Sequence, residues 1–319
     1  MSELVVCGEA LVDVVAAVPP SPGGGPLPSL QPALGGGPFN VAVTLGRLGS
    51  TVSLYSAVST DAYGDEIVAA LHRNGVDTRL VQRRDEPTSL ALATIGPDGA
   101  ARYSFYVEGT ADRLVSEIDD VSPAVAAVCF GTLSMVLEPG AQVYERLLRR
   151  CGAAGRVVAL DPNIRPAVID DPDGYRRRFQ EWIPLVDVLK LSDDDIDWLG
   201  AGAEGSAVAD WLDAGVGAVV STHGAGGITV VTREFVVSAQ AEPAQVIDTI
   251  GAGDSVMGAL LHYLDQSGDL SSAAVRARDA DYWLGAAQFA ARVAAITVSR
   301  PGADPPWAAE LDRGGVYSG

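Results

Sequence analysis

Asp248-Thr249-Ile250-Gly251-Ala252-Gly253-Asp254 is the stretch from which this chain is read. An apolar pair, Val246 and Ile247, precedes it, and Ser255 to Leu261 follows with the apolar spacing of a buried helix. The pattern predicts a strand tip, a small-residue turn and a helix start in immediate succession. Small residues let backbone amides approach a ligand closely, and a helix start offers N–H groups without intrahelical partners plus a partial positive charge. Such a turn is an anion hole suited to phosphate. Asp254 lies at its lip, where a carboxylate can take a proton or hold a hydroxyl in line. The same letters also suit an aspartate that merely caps a core helix behind a glycine turn.

A second glycine-rich turn stands near the other end of the chain. Gly35-Gly36-Gly37-Pro38-Phe39-Asn40 opens a predicted helix over Val41 to Leu48, with proline near its first turn. Asn40 can both donate and accept. Taken alone the run is most often just a tight loop. Before it, Glu3 to Cys7 reads as a buried strand, and Asp13 to Val18 alternates as a strand that would continue onto a second, more exposed sheet. Pro19 to Pro28 is Pro/Gly-rich and predicts a surface loop.

Between the two turns the rhythm is strand then helix. Thr51–Val58 and Asp65–Asn74 form one such pair, then Val125–Phe130, Pro139–Arg150, Arg156–Leu160, Asp173–Trp182 and Val186–Leu191. That alternation predicts an α/β fold with a parallel sheet covered by helices on both faces. Ser89–Ile95 and Arg102–Val107 flank Gly96-Pro97-Asp98-Gly99, a hairpin signal. A last helix pair is expected over Ser271 to Ala295, with surface chain after Pro301.

Composition narrows the chemistry. With 22 basic and 41 acidic residues the net charge is −19, which argues against nucleic acid or an anionic membrane as partner. Lys190 is the sole lysine, so no Gly-Lys-Ser/Thr phosphate loop exists, and the dinucleotide fingerprint GxGxxG is absent. Cys7, Cys129 and Cys151 lack metal-ligand spacing and read as buried thiols of a reducing compartment. No signal peptide or membrane span is evident, so a cytoplasmic location is expected. The three histidines, His72, His223 and His262, suggest no metal site.

Two further segments follow predicted strands, where open α/β sheets bind ligands. In Asp161-Pro162-Asn163-Ile164-Arg165-Pro166, Arg165 could reach a phosphoryl group, or could be a surface arginine on a proline turn. Lys190-Leu191-Ser192-Asp193-Asp194-Asp195 could be no more than an acidic helix start that suits the helix dipole.

Together DTIGAGD and GGGPFN resemble the C-terminal and N-terminal signatures of the ribokinase-like (PfkB) carbohydrate kinases. The resemblance runs from Gly8 to about Ala303, and the Gly8–Asp13 wording, GEALVD, is similar to that of fructokinases and ketodeoxygluconate kinases. It implies one domain over 1–319, with a mostly parallel central sheet and a small β-sheet lid from segments about 12–34 and 88–108. It implies an ATP-dependent kinase acting on a primary hydroxyl of a small sugar, with fructose first and 2-keto-3-deoxygluconate, ribose or a nucleoside as alternatives. A dinucleotide oxidoreductase and a non-enzymatic sugar sensor are the rivals outside that reading.

The resemblance also implies roles. Asp254 would be the base, the Gly251, Ala252 and Gly253 amides the anion hole, and Arg165 a phosphate contact. Asp13, Gly36, Gly37, Asn40, Phe105 and Asn163 would hold sugar. Lys190, Ser192, Thr222, Gly224 and Gly227 would hold nucleotide, the last three within a loop like the family's T-x-G-x-x-G. Ser192 and Asp195 occupy the positions of the family's N-x-x-E motif, and both depart from it. Asp195 would organise Mg²⁺ through water, and Asp248 would be the candidate ligand for a monovalent cation such as K⁺. A homodimer through the lid is common in the family. Ketodeoxygluconate kinases resembling this chain carry an arginine where Val107 stands, and Arg102 at odd spacing would face the other side of its strand. A neutral ketose is therefore expected over a sugar acid.

Overall fold

Leu4 and Val6 of strand β1 (Glu3–Cys7) face one hydrophobic core, while Val5 and Cys7 face another. The same split recurs along Val157–Asp161, where Val157 and Ala159 enter the first core and Val158 and Leu160 the second. Side chains alternate across a strand, so a strand apolar at every position must be covered on both faces. The computed structural model describes residues 2–16, 30–95, 101–118, 121–201 and 206–311.

After β1 come β2 (Leu11–Ala16), β3 (Leu30–Gly35), helix α1 (Gly37–Leu48) and β4 (Val52–Ser59). Helix α2 (Ala62–Arg73), β5 (Val76–Asp77), β6 (Val81–Arg84), β7 (Leu90–Ile95) and β8 (Ala101–Tyr106) follow. Then the chain alternates through β9 (Val125–Gly131), α3 (Gly140–Ala153), β10 (Val157–Asp161), α4 (Pro172–Trp182) and β11 (Val188–Ser192). Two short helices, α5 (Asp193–Leu199) and α6 (Ala207–Ala214), precede β12 (Ala218–Thr222), β13 (Ile228–Val231) and β14 (Val236–Ala239). The C-terminal part is helical: α7 (Ala252–Asp265), α8 (Ser272–Arg276), α9 (Ala280–Val298) and α10 (Ala308–Leu311).

The large sheet runs β14-β13-β12-β11-β10-β9-β1-β4-β5, with β6 also on β4. It is parallel from β12 to β5 and antiparallel only at β12–β13–β14. Helices α1, α2, α7 and α9 cover one face, and α3, α4 and α6 the other. A separate four-stranded sheet, β3-β2-β7-β8, has β2 and β7 parallel and its outer pairs antiparallel. This is the ribokinase-like α/β arrangement, with the central sheet helix-covered and a small sheet apart from it. No helix among the described residues is long and apolar enough to cross a membrane.

Two expectations need correction, and others fall outside the described residues. Val246 and Ile247 are no strand tip: they lie in irregular chain and are 62% and 58% exposed. The Ile247 and Asp248 amides donate to the Val298 carbonyl at the end of α9 rather than to a sheet neighbour. Chain after Pro301 is not simply surface, because Pro305, Pro306 and Leu311 are buried and Arg47 binds Asp304 at 2.5 Å and stacks on Trp307. The hairpin β7–β8 pairs as predicted, but its tip, the 19–28 loop and the Arg102 side chain lie outside the described residues.

Candidate active site

The parallel strands all end on one side, and the segments leaving them converge. Glu9 follows β1, Thr132 follows β9, Asn163 and Arg165 follow β10, Ser192 closes β11 and Thr222 closes β12; all line one polar chamber of about 340 Å³. The small sheet supplies Leu11, Asp13, Ala91, Tyr103 and Phe105 from above. Ligands in open α/β sheets bind at this carboxyl edge.

Two helix starts face this chamber. Helix α7 begins after Gly251, whose φ of 74° few other residues would adopt, and no side chain caps it. Its hydrogen-bond ladder starts with the Ser255 amide on the Gly251 carbonyl at 2.8 Å. Amides ahead of that point have no intrahelical partner. The Ala252 amide turns back onto the Thr249 carbonyl at 3.3 Å, so one of the three Gly251–Gly253 amides expected from sequence to form an anion hole is already engaged. Helix α1 starts the same way after Gly36, with φ 103° and again no side-chain cap. The two helices pack tightly because Gly258 leaves room for Thr44: a Cβ there would lie 2.6 Å from it.

Asp254 is the third residue of α7 and does not cap it, so the motif is not an aspartate N-cap. Its Oδ2 instead accepts from Asn40 Nδ2 at 2.8 Å, joining the two glycine-rich turns through their side chains. The residue is 7% exposed. Burial raises its carboxyl above the ordinary range, while the Asn40 bond and the charges of Lys190 and Arg165 pull it back. Asp13 is also raised, to about 6, by burial and by the charge of Asp254, with Arg165 opposing.

Lys190 is buried against Asp161, Nζ to Oδ2 2.7 Å, and the side chains are 4% and 5% exposed. Burial lowers the ammonium pKa, but the charge and hydrogen bond of Asp161 outweigh it and hold Lys190 above the usual lysine value. Breaking such a buried pair costs about 3–5 kcal/mol. The ammonium lies beneath the start of α7: a Cβ on Gly253 would stand 2.8 Å from Nζ.

Asp195 is committed differently. Its Oδ2 accepts from the Ser192 amide at 2.9 Å and hydroxyl at 2.6 Å, and its Oδ1 from the Ile164 amide at 2.7 Å. It therefore ties β11, α5 and the segment after β10 together in a capping box. Asp248 likewise accepts from the Ile250 amide at 3.0 Å and the Gly302 amide at 2.8 Å, and it lines neither chamber. Among the described residues no cluster of three or more His, Cys, Asp or Glu could cage a metal. His223 pairs with Asp193 at 2.6 Å on the surface, and the three cysteines are buried free thiols.

A second chamber of about 480 Å³ adjoins the first. Gly224, Ala225 and Gly227 of the turn after β12 line it, with Ala241 to Ala244, Val246, Val256 of α7, and Ala291, Ala294, Ala295 and Val298 of α9. Thr222, Thr249 and Gly253 border both chambers. All the residues expected at the site except Asp248 line one chamber or the other. Sequence reasoning missed Glu9, Tyr103, Thr132 and the α9 alanines. Tyr103 had a signal, since it shares a strand face with Phe105 and their rings stack at 6.1 Å. Val107 does not face the polar chamber: β8 ends at Tyr106, and Val107 is buried beside a separate cavity against α4.

Residues 1–310 match the pfkB family carbohydrate kinases. The chain is 34% identical over 279 residues to a fructokinase of Rhizobium leguminosarum bv. trifolii, covering 86% of this chain and 84% of that one. It is 30% identical over 321 aligned positions to fructokinase-1 of Oryza sativa subsp. japonica, covering 98% and 96%. The crystal structure of a Xylella fastidiosa fructokinase with bound ATP matches with a TM-score of 0.86 at 29% identity, over 97% of each chain. The fold and the paired glycine turns thus have a common explanation. The chain belongs to the pfkB family, and it is a sugar kinase.

Proposed function

We propose that the protein transfers the γ-phosphate of MgATP to the 6-hydroxyl of fructose. The observation that carries this is Asp254: a buried carboxylate beside an uncapped helix start, where a polar chamber meets an apolar one. In this reading the adenosine occupies the apolar chamber and the phosphates cross Gly253. The sugar lies among Asp13, Asn40 and the Gly36–Gly37 backbone, with Phe105 and Tyr103 above it. Asp254 orients the primary hydroxyl and finally takes its proton. Phosphoryl transfer passes through a loose transition state, so positioning and charge stabilisation matter more than the strength of the base.

Negative charge building on the phosphoryl oxygens meets the α7 amides, Lys190 and Arg165. Mg²⁺ arrives with the nucleotide and offsets phosphate charge. Asp195, with both oxygens engaged, would act on it only through water. Closure of the small sheet over the sugar would exclude the water that competes as acceptor. The K⁺ requirement and the homodimer through the small sheet belong to the same proposal. Exposed Leu30 and Tyr106 on that sheet support the second; the potassium dependence of turnover and sedimentation velocity test them.

Similarity to the fructokinases supports the choice of fructose, and so does charge. Asp13 and Asp254 already face one guanidinium, Arg165, and Lys190 is paired with Asp161 with its remaining donors turned to phosphate in this reading. A sugar acid would add a third carboxylate there, and burying it unpaired costs several kcal/mol, on the order of 2–7 for a polar group and more for a charge. The test is coupled ADP release at saturating MgATP with fructose, ribose and 2-keto-3-deoxygluconate. Fructose is expected to give the highest kcat/KM. A sugar acid ahead by about tenfold or more, equal to ~1.4 kcal/mol, would overturn the ketose reading.

A further inference from the structure

Glu9 is a buried acid that the reaction above does not use. It is 2% exposed, at the crossing where the chain leaves β1 for β2. Its Oε1 accepts from the Thr132 hydroxyl, and its Oε2 from the Ser134 hydroxyl and, at 3.1 Å, from the Ser134 amide. The Glu9 amide in turn donates to Ser134 Oγ at 2.6 Å. Every one of these partners belongs to the turn after β9. A carboxylate suits them because it only accepts, with room for several donors at once.

Thr132 gives the arrangement its purpose. It has φ 57°, a left-handed conformation costly for a β-branched residue. Its methyl lies against Gly37, where a Cβ would come within 2.5 Å of it, and 3.3 Å from Asp254 Oδ1. Both Thr132 and Gly37 line the polar chamber. The return crossing from β3 to α1 passes the same spot, since a Cβ on Gly36 would meet the Glu9 carbonyl at 2.8 Å. Glu9 thus touches both the junction of the two sheets and the turn that floors the chamber.

We propose that Glu9 is a positioning residue for the sugar: its carboxylate clamps the Thr132–Ser134 turn, holding strained Thr132 against Gly37 beneath the substrate. Burial pushes this carboxyl up to about 7, against the hydrogen bonds from Ser134 and Thr132, and Asp112 acts on it with like charge. The clamp therefore carries an energetic cost that pairing of the sheet strands does not require.

This rests on the kinase reading of the chamber only for which substrate's KM moves. The split is read on whichever sugar the wild-type protein phosphorylates best, so an error over fructose leaves it intact. Glu9→Ala, checked for folding by circular dichroism, is expected to raise the sugar KM about tenfold or more and to leave the MgATP KM within about twofold. Adding Thr132→Asn should remove most of that loss, because asparagine adopts the left-handed conformation with less strain. With Thr132→Asn already in place, Glu9→Ala should then cost under about threefold.

A purely structural Glu9 would instead lower thermal stability without a KM split, and asparagine would rescue nothing. Either result overturns the proposal. If Glu9→Ala does not fold, Thr132→Val and Ser134→Ala each remove one donor to the carboxylate. Each is expected to raise the sugar KM several-fold, and unchanged sugar KM in both would equally overturn it.

Discussion

The two chambers that meet at Gly253 are built from opposite materials. The polar one is lined by chain that has just left a strand: Glu9, Thr132, Asn163, Arg165, Ser192 and Thr222, each at the carboxyl edge of the large sheet. The apolar one is lined by the flanks of α7 and α9 and by the turn after β12, and its residues are mostly alanine, valine, proline and glycine. Strand ends place single charged groups to within a fraction of a residue, because each strand is fixed by neighbours on both sides. Helix flanks offer a smooth wall whose depth is set by how small the side chains are. The first suits bond-making chemistry and the second suits holding a flat, largely apolar ring system.

The largest expected effect would break the comparison at its polar side. Asp254→Asn keeps the side chain's shape and can still face Asn40 with an oxygen, but it cannot take a proton. We expect kcat to fall by more than about 10³-fold, with sugar and nucleotide still bound within a few-fold of wild type by calorimetry. Turnover within a few-fold of wild type would reduce the polar chamber to a binding surface.

A second variant acts on the shared wall. Gly253→Val puts a Cβ where Lys190 Nζ lies 2.8 Å away, and Lys190 has nowhere to go because it is buried against Asp161. Either the ion pair or the first turn of α7 must shift. Phosphoryl transfer should drop by about 10²-fold or more while calorimetric sugar binding persists. Equal loss of both in a protein still folded by circular dichroism would show that the chambers cannot be separated.

The same contrast explains what the sequence discloses. β1, β9, β10 and β11 read plainly because strands buried on both faces are mostly apolar runs, and the two glycine turns carry their chemistry in their letters. The apolar chamber has no motif: Ala291, Ala294 and Ala295 matter for being small, and any well-packed helix contains alanines. β13 and β14 are only four residues each, and β14 is half exposed, so both pass for loop. Val246 and Ile247 mislead for a related reason, since an exposed apolar pair, Val246 of it at the rim of a cavity, has the composition of a strand without its partners. Glu9 and Thr132 are 123 residues apart, and nothing local announces that they meet. The contacts of the C-terminal chain with Arg47 and Asp248 are equally nonlocal.

The smallest predicted effect is a pH dependence, and it asks whether the charges of the polar chamber act as one group. In the proposed sugar site Asp13 would accept from the sugar's hydroxyls and must be ionised to do so; once protonated, one of its oxygens becomes a donor. Burial and the charge of Asp254 hold its carboxyl near 6, so the accepting form is lost as pH falls through that value, not through the ordinary range near about 4. Sugar affinity should therefore weaken by up to about tenfold per pH unit below 6, with MgATP affinity much flatter, because uncharged groups make up nearly all of the apolar chamber's wall. Glu9, near 7, titrates close by, so the two are separated with Asp13→Asn, which should bind sugar weakly and lose the break near 6. In Asp254→Asn the break should move to lower pH, since the like charge that raises Asp13 is gone. If it stays near 6 in that variant, burial alone sets the Asp13 carboxyl, and the two carboxylates facing Arg165 are independent groups that happen to share a chamber.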